Sequence, residues 1–119
     1  MRVLVIEDDP NVRDLIDALL ASFGFDCQAA NDGQSGLVRF EEGGWDLVLT
    51  NLMREVSGWE VVEAIRERAP SLPVVVLTGL SSPTVLRRAL ERRVTVIAKP
   101  VQVRTLKAAL VEALYAKLA

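Results

Sequence analysis

The sequence predicts an α/β fold: a parallel sheet doubly wound with helices on both faces. Three observations carry this. Five short strand-like segments recur along the chain, and each is followed by a helix-like stretch. The first, Arg2 to Ile6, is continuous and β-branched rather than alternating, as in a strand buried on both faces. Strand–helix alternation without hairpin turns argues for a parallel sheet.

Arg2 to Ile6 is the first strand-like run, and it stops at the acidic cluster Glu7-Asp8-Asp9. Asp9 before Pro10 is a helix start, with a carboxylate at the N-cap and proline at the first helical position. Val12, Leu15, Ile16, Leu19, Leu20 and Phe23 then recur at spacings of three and four, and Gly24 supplies the left-handed stop. Phe25 to Ala30 is a weaker second strand, expected near a sheet edge. Asn31-Asp32-Gly33 reads as a turn before a helix from Gln34 to Glu42, whose apolar residues are Leu37, Val38 and Phe40.

The third strand is Asp46-Leu-Val-Leu-Thr-Asn51, apolar between polar ends. A loop over Leu52 to Val56 follows, with Ser57 as the expected cap of a helix containing Val61, Val62 and Ile65 that stops before Pro70. Pro73 to Thr78 is the fourth strand and holds the most apolar run, Val74-Val75-Val76-Leu77. Gly79 to Ser81 is loop. Ser82-Pro83 repeats the cap-plus-proline start, and a helix carries Val85, Leu86, Ala89 and Leu90. Val94 to Ala98 is the fifth strand, ending at Lys99-Pro100. Val103, Leu106, Leu110, Ala113 and Leu114 share one face of the last helix.

A chain of 119 residues is expected to form one domain, 1–119, without linker or repeat. Its net charge of −2 gives no general attraction to nucleic acid or to a membrane surface. No apolar run has the length of a membrane span, and the first strand begins without a signal peptide. Cys27 is the single cysteine and reads as a small buried hydrophobe; a reducing cytoplasm is the expected location. The absence of histidine removes the commonest general base and transition-metal ligand.

Right-handed crossovers reduce five such units to few topologies, of which the flavodoxin-like order 2-1-3-4-5 is expected. In that order the first and third strands are neighbours at the switch point. Their carboxyl ends bring Glu7, Asp8 and Asn51 together, with Thr78 and Lys99 arriving from the fourth and fifth strands. Glu7 and Asp8 are hard oxygen ligands suited to a magnesium ion that keeps several waters, or acids placed at a helix N-terminus. Lys99 supplies an ammonium that neutralises the acids or holds an anion, and its bond to Pro100 is a candidate cis peptide.

With these residues in view, the whole chain resembles the receiver domains of two-component response regulators. The resemblance rests on Val-Ile-Glu-Asp-Asp at 5–9, Asp-Leu-Val-Leu-Thr-Asn-Leu-Met at 46–53, Ser-Gly-Trp-Glu at 57–60, Pro-Val-Val-Val-Leu-Thr-Gly at 73–79 and Lys-Pro at 99–100. In that family an aspartate at the end of the third strand takes a phosphoryl group from a histidine kinase. The resemblance implies metal ligation by Glu7, Asp8 and the Met53 carbonyl, a switch hydroxyl at Thr78 and a phosphate-contacting ammonium at Lys99. It implies a non-enzymatic signalling module that works with a histidine kinase or an output partner.

The departures are equally specific. Asn51 stands where the family has its phosphoryl-accepting aspartate, and an amide is a poor nucleophile that also removes a charge from the metal site. The usual proline is missing from Met53-Arg54-Glu55-Val56, and Gly58 falls one residue early. Arg92-Arg93 replaces a usual Gly-Ala, Val96 replaces a Tyr or Phe, and the Thr78–Lys99 segment is one residue short. A degenerate receiver with weakened Mg²⁺ binding is therefore expected. Thr50 is no substitute acceptor, because successive strand residues face opposite ways. The alternative from another class is a flavin-like small-molecule binder or enzyme on the same sheet, disfavoured by the acidic first turn. Arg87, Arg88, Arg92 and Arg93, placed on the fourth helix, are expected to meet a partner or a second copy, opposite acids such as Glu112; direct DNA binding is the weaker reading of them.

Overall fold

The computed structural model describes residues 1–52, 55–79 and 82–118. Its elements alternate as β1 (Arg2–Ile6), α1 (Pro10–Ser22), β2 (Asp26–Ala30), α2 (Gly33–Glu41), β3 (Leu47–Asn51), α3 (Glu55–Arg68), β4 (Val74–Thr78), α4 (Pro83–Glu91), β5 (Thr95–Ala98) and α5 (Val103–Leu118). All pairings are parallel, in the order β2-β1-β3-β4-β5, so the expected topology is present. β2 is an edge strand, in keeping with its weaker apolar character.

The two-residue period of the strands divides the core. Val3, Val5, Leu47, Leu49, Val75 and Leu77 face α1 and α5 with Ile16, Leu20, Leu106 and Leu110. Leu4, Ile6, Val48, Val74 and Val76 face the other way, against Phe40, Trp59, Val62, Ile65 and Val85. Every residue of β3 and β4 is buried. Each such aliphatic side chain withdrawn from water contributes about 1.5–3 kcal/mol before conformational entropy is set against it.

The helix starts follow from their caps. Asp9 Oδ1 accepts from the backbone N–H of Asn11 at 2.9 Å, with Pro10 at the first helical position. Ser82 Oγ accepts from the Val85 N–H at 3.2 Å. The Asn31-Asp32-Gly33 turn proves to be a cap as well: Asp32 Oδ1 accepts from Ser35 N at 2.7 Å, so α2 begins at Gly33. Gly24, with φ of 90°, ends the α1 corner in a conformation that disfavours other residues.

Several local expectations are corrected. Ser57 does not cap α3, because that helix begins at Glu55 and Ser57 lies within it. α4 ends at Glu91, so Arg92 is its C-cap and Arg93 follows in the left-handed region with φ of 56°. Val38 is 64% exposed, since it lies about 100° around α2 from Leu37 while Gly36 and Phe40 take the buried positions. Leu15, Leu86, Leu90 and Val103 are likewise exposed at the margins of their stripes.

Gly36 sets how closely α2 approaches β1. A Cβ there would lie 2.4 Å from Ile6 Cδ1 and 2.7 Å from Ile6 Cγ1. Alanine would gain about 1 kcal/mol of helix propensity. Forcing fully buried Ile6 aside would cost about 1–3 kcal/mol. Gly36→Ala is therefore expected to lower stability in urea denaturation, and a stabilised variant would contradict this packing.

Candidate functional site

The carboxyl ends of β1, β3, β4 and β5 form one polar edge. Glu7 follows the last residue of β1 and is fully buried, and its N–H donates to Ala30 O across to β2 at 3.0 Å. Asn51 closes β3 and is 4% exposed; Thr78 closes β4 and is 3% exposed. Lys99 leaves β5 with its N–H donating to Thr78 O at 2.8 Å. The Lys99-Pro100 peptide is cis.

The side chains then join. Asn51 Nδ2 donates to Glu7 Oε2 at 2.5 Å and to Asp8 Oδ1 at 3.3 Å. Lys99 Nζ reaches Glu7 Oε1 at 2.9 Å, and the Asp8 N–H donates to Glu7 Oε2 at 3.1 Å. Glu7, Asp8, Asn51 and Lys99 are thus brought together as expected, with Thr78 on the adjoining strand at the same edge. The Met53 carbonyl lies outside the described residues. Arg13 fastens the turn, its Nη1 donating to Glu7 O at 3.1 Å.

Sequence reasoning identified these groups but missed the direction of the bonds among them. Both neighbours of the Asn51 side chain are hydrogen-bond acceptors, so its NH₂ is the end that must face them. The two acids are held by an internal donor. Thr50 is buried, its Oγ1 has no partner among the described residues, and it has the strand parity of Val48, facing α2 and α3 rather than the acidic edge. It has neither an activating base nor access to the site.

Burial raises the Glu7 pKa above its ordinary value of 4.5; the Lys99 hydrogen bond and charge oppose this, and Asp8 reinforces it. Desolvation therefore outweighs the ion pair. The same arrangement bears on metal binding. Glu7 has one oxygen engaged by an ammonium and the other by an amide, and Asn51 turns partial positive charge toward the place between the acids. Among the described residues no three His, Cys, Asp or Glu side chains form a cluster able to hold a metal ion. In this arrangement the residues do not fit a magnesium ion, which needs oxygen ligands and bound waters in octahedral geometry.

Within the chain, two of the basic residues expected to meet a partner already have contacts. Arg92 Nη2 pairs with Glu63 Oε1 of α3 at 2.5 Å, and its guanidinium lies 5.2 Å from the Trp59 ring centroid. Arg93 Nη2 donates to Pro70 O at 3.4 Å. Arg87 is exposed on α4 and Arg88 is half-buried there.

A profile of the response regulator receiver domain matches residues 3–111. The chain belongs to that family. This receiver domain is 39% identical over 82 residues to the transcriptional regulatory protein DltR of Streptococcus agalactiae, covering 68% of the chain and 37% of that protein. It is 34% identical over 119 residues to the sensor histidine kinase RcsC of Salmonella typhimurium, covering 98% of the chain and 12% of that protein. The chain therefore spans a minor part of the curated relatives it matches. A response regulator receiver domain structure from Clostridium thermocellum superposes with a TM-score of 0.88 at 27% identity, over 98% of this chain and 96% of that one. Thermotoga maritima TrrA in complex with Mg²⁺-BeF gives 0.82 at 27% identity, over 94% and 97%. Receiver domains of this kind generally bind Mg²⁺ at the phosphorylation site and act as signalling domains. Family membership leaves the flavin-like reading without support. Among the described residues no helix is long and apolar enough to cross a membrane.

The raised Glu7 pKa gives a signed pH dependence. Between the unfolded and folded values the folded state holds the extra proton. The contribution of Glu7 to stability is thus full below about the ordinary carboxylate range and falls as pH rises through the folded value. Denaturation at a series of pH values is expected to show the stability of the native protein declining relative to Glu7→Gln as pH rises. A difference that grows in favour of the native protein would contradict the dominance of burial.

Proposed function

We propose that residues 1–119 form a receiver domain that signals through protein contacts and is not switched by phosphorylation at position 51. The observation that supports this is the Asn51 amide, donating to Glu7 and Asp8 where an acceptor carboxylate would have to stand. Aspartyl phosphorylation requires a carboxylate oxygen to attack phosphorus. The amide oxygen carries only the partial charge that delocalisation of the nitrogen lone pair gives it, not the full charge of a carboxylate, so it does not supply that nucleophile.

In this reading Glu7 and Asp8 keep the metal-ligand positions, with the Met53 carbonyl as third ligand. Mg²⁺ binds weakly, because occupation requires the Asn51 side chain to rotate and Lys99 to give up Glu7. Thr78 and Lys99 keep the positions of phosphate-contacting groups without a phosphoryl group to contact. The domain is not an enzyme and works in the cytoplasm. Its partners are signalling proteins, a histidine kinase or an output partner, or a second copy met through α4, β5 and α5. Arg87 is exposed there beside Leu86 and Leu90, with Arg88 half-buried next to it.

Incubation with acetyl phosphate and Mg²⁺ followed by intact-mass measurement tests the central point. The native protein is expected to gain no phosphoryl mass, whereas Asn51→Asp is expected to gain one acid-stable, base-labile group. Stoichiometric acyl phosphate on the native protein would overturn the proposal.

Asn51→Asp also turns two donated hydrogen bonds into repulsion among three carboxylates. It is expected to lower metal-free stability by about 1–3 kcal/mol. It should also bind Mg²⁺ about tenfold or more tightly than the native protein, as an added ligand charge requires. Isothermal titration and denaturation with and without the ion check both, and equal Mg²⁺ affinity in the two proteins would count against the role given to Asn51.

A further inference from the structure

At the amino end of the sheet, opposite the acidic edge, a cleft of about 220 Å³ opens between the turn joining α3 to β4 and the entry to β5. Two guanidiniums line it, Arg66 and Arg93, together with the hydroxyl-bearing residues Ser71 and Thr95, and among the described residues no carboxylate does. Arg66 is held rigidly. Its Nε donates to Arg92 O at 2.8 Å, Nη1 to Leu72 O at 2.5 Å and Ala69 O at 3.3 Å, and Nη2 to Arg93 O at 2.9 Å. A guanidinium has five N–H donors, so the four bonds here leave one Nη2 hydrogen for a ligand.

All of these partners are neutral carbonyls. They fix the orientation of the group without compensating its charge. The ion pairs among the described residues join Arg68 to Glu41, Arg92 to Glu63 and Glu91, and Lys99 to Glu7; none includes Arg66 or Arg93. Burial and the neighbouring Arg93 charge both push the Arg66 pKa down, as expected of two cations facing one space. This concentration of positive charge occurs in a chain whose net charge is −2.

We propose that this cleft is an anion site, in which Arg66 and Arg93 hold a small phosphate-class oxyanion beside Ser71 and Thr95. The planar fork of arginine matches the oxygens of such an ion, and charge-assisted bonds to it replace repulsion between the two cations. The size selects for an ion: ligand pockets for larger organic molecules run to about 300–1,000 Å³. The Arg93 backbone, left-handed where glycine is unstrained, keeps its side chain over Pro70 at the mouth. The site is independent of position 51 and of whether the domain is phosphorylated.

Titration of the full chain with inorganic phosphate, followed by ¹H–¹⁵N NMR against sodium chloride of equal ionic strength, tests this. Saturable shifts are expected at residues 71, 72 and 93–95. Arg93→Asn, which tolerates the left-handed backbone, should weaken binding by about tenfold. Arg68→Gln, at the paired Glu41 cluster, should leave it unchanged. A parallel titration with glycerol phosphate separates the sources: binding there places the ion on a small phosphomonoester, and binding of inorganic phosphate alone makes the ligand the free ion. Neither ion shifting the cleft residues, or equal losses in Arg93→Asn and Arg68→Gln, would overturn the site.

Discussion

The bond from the Asn51 amide to the two acids of the β1 edge is the constraint around which the polar end of this molecule is arranged. Glu7 is fully buried, and a buried carboxylate is tolerated only when its oxygens are satisfied. Lys99 takes one oxygen, while Asn51 and the Asp8 N–H take the other. Two like charges about 4 Å apart repel by about 4 kcal/mol at an effective dielectric of 20. A third carboxylate at position 51 would add to that repulsion, whereas the amide relieves it. The substitution that removes the phosphoryl acceptor therefore also gives the acids an internal partner. Loss of chemistry and gain of internal satisfaction are consequences of the same atom change.

Strand parity and caps carried most of the fold into the sequence. Continuous apolar runs marked the buried strands, and Asp9-Pro10 and Ser82-Pro83 marked two helix starts by a local hydrogen bond that depends on few neighbours. The convergence of Glu7, Asp8, Asn51 and Lys99 followed from topology once the strand order was fixed. Met53, the remaining member of the expected ligand set, lies outside the described residues. What was not legible depended on choices between neighbouring residues or on long-range contacts. Val38 and Gly36 compete for the buried face of α2, and only the approach of Ile6 decides for the glycine. Arg92 pairs with Glu63 because its cap position at the end of α4 lies against α3. Arg66 gave one signal, a basic residue in the last turn of α3. Nothing local foretold that it would tie four carbonyls across two connections.

The two ends of the sheet thus differ in how charge is managed. At the carboxyl edge, acids and donors close on one another until little remains for an outside ligand. At the amino edge, Arg66 holds the loop before β4 to the end of α4 through carbonyls alone, and its charge stays unpaired among the described residues. The same side chain that organises the turn is the one whose charge is available to an anion. Between the two ends lie strands buried on both faces, a rigid connection that fixes the geometry of each site without requiring either to move.

The side-chain amide of Asn51 reports most directly on whether the acidic edge is closed. Its two proton resonances in a ¹H–¹⁵N spectrum should be separated by an unequal pair of hydrogen bonds to carboxylates, and should be protected from solvent exchange. They should also move only at Mg²⁺ concentrations about tenfold or more above those that saturate Asn51→Asp. Resonances at ordinary amide positions that exchange freely in the metal-free protein would mean that Asn51 does not hold Glu7 and Asp8.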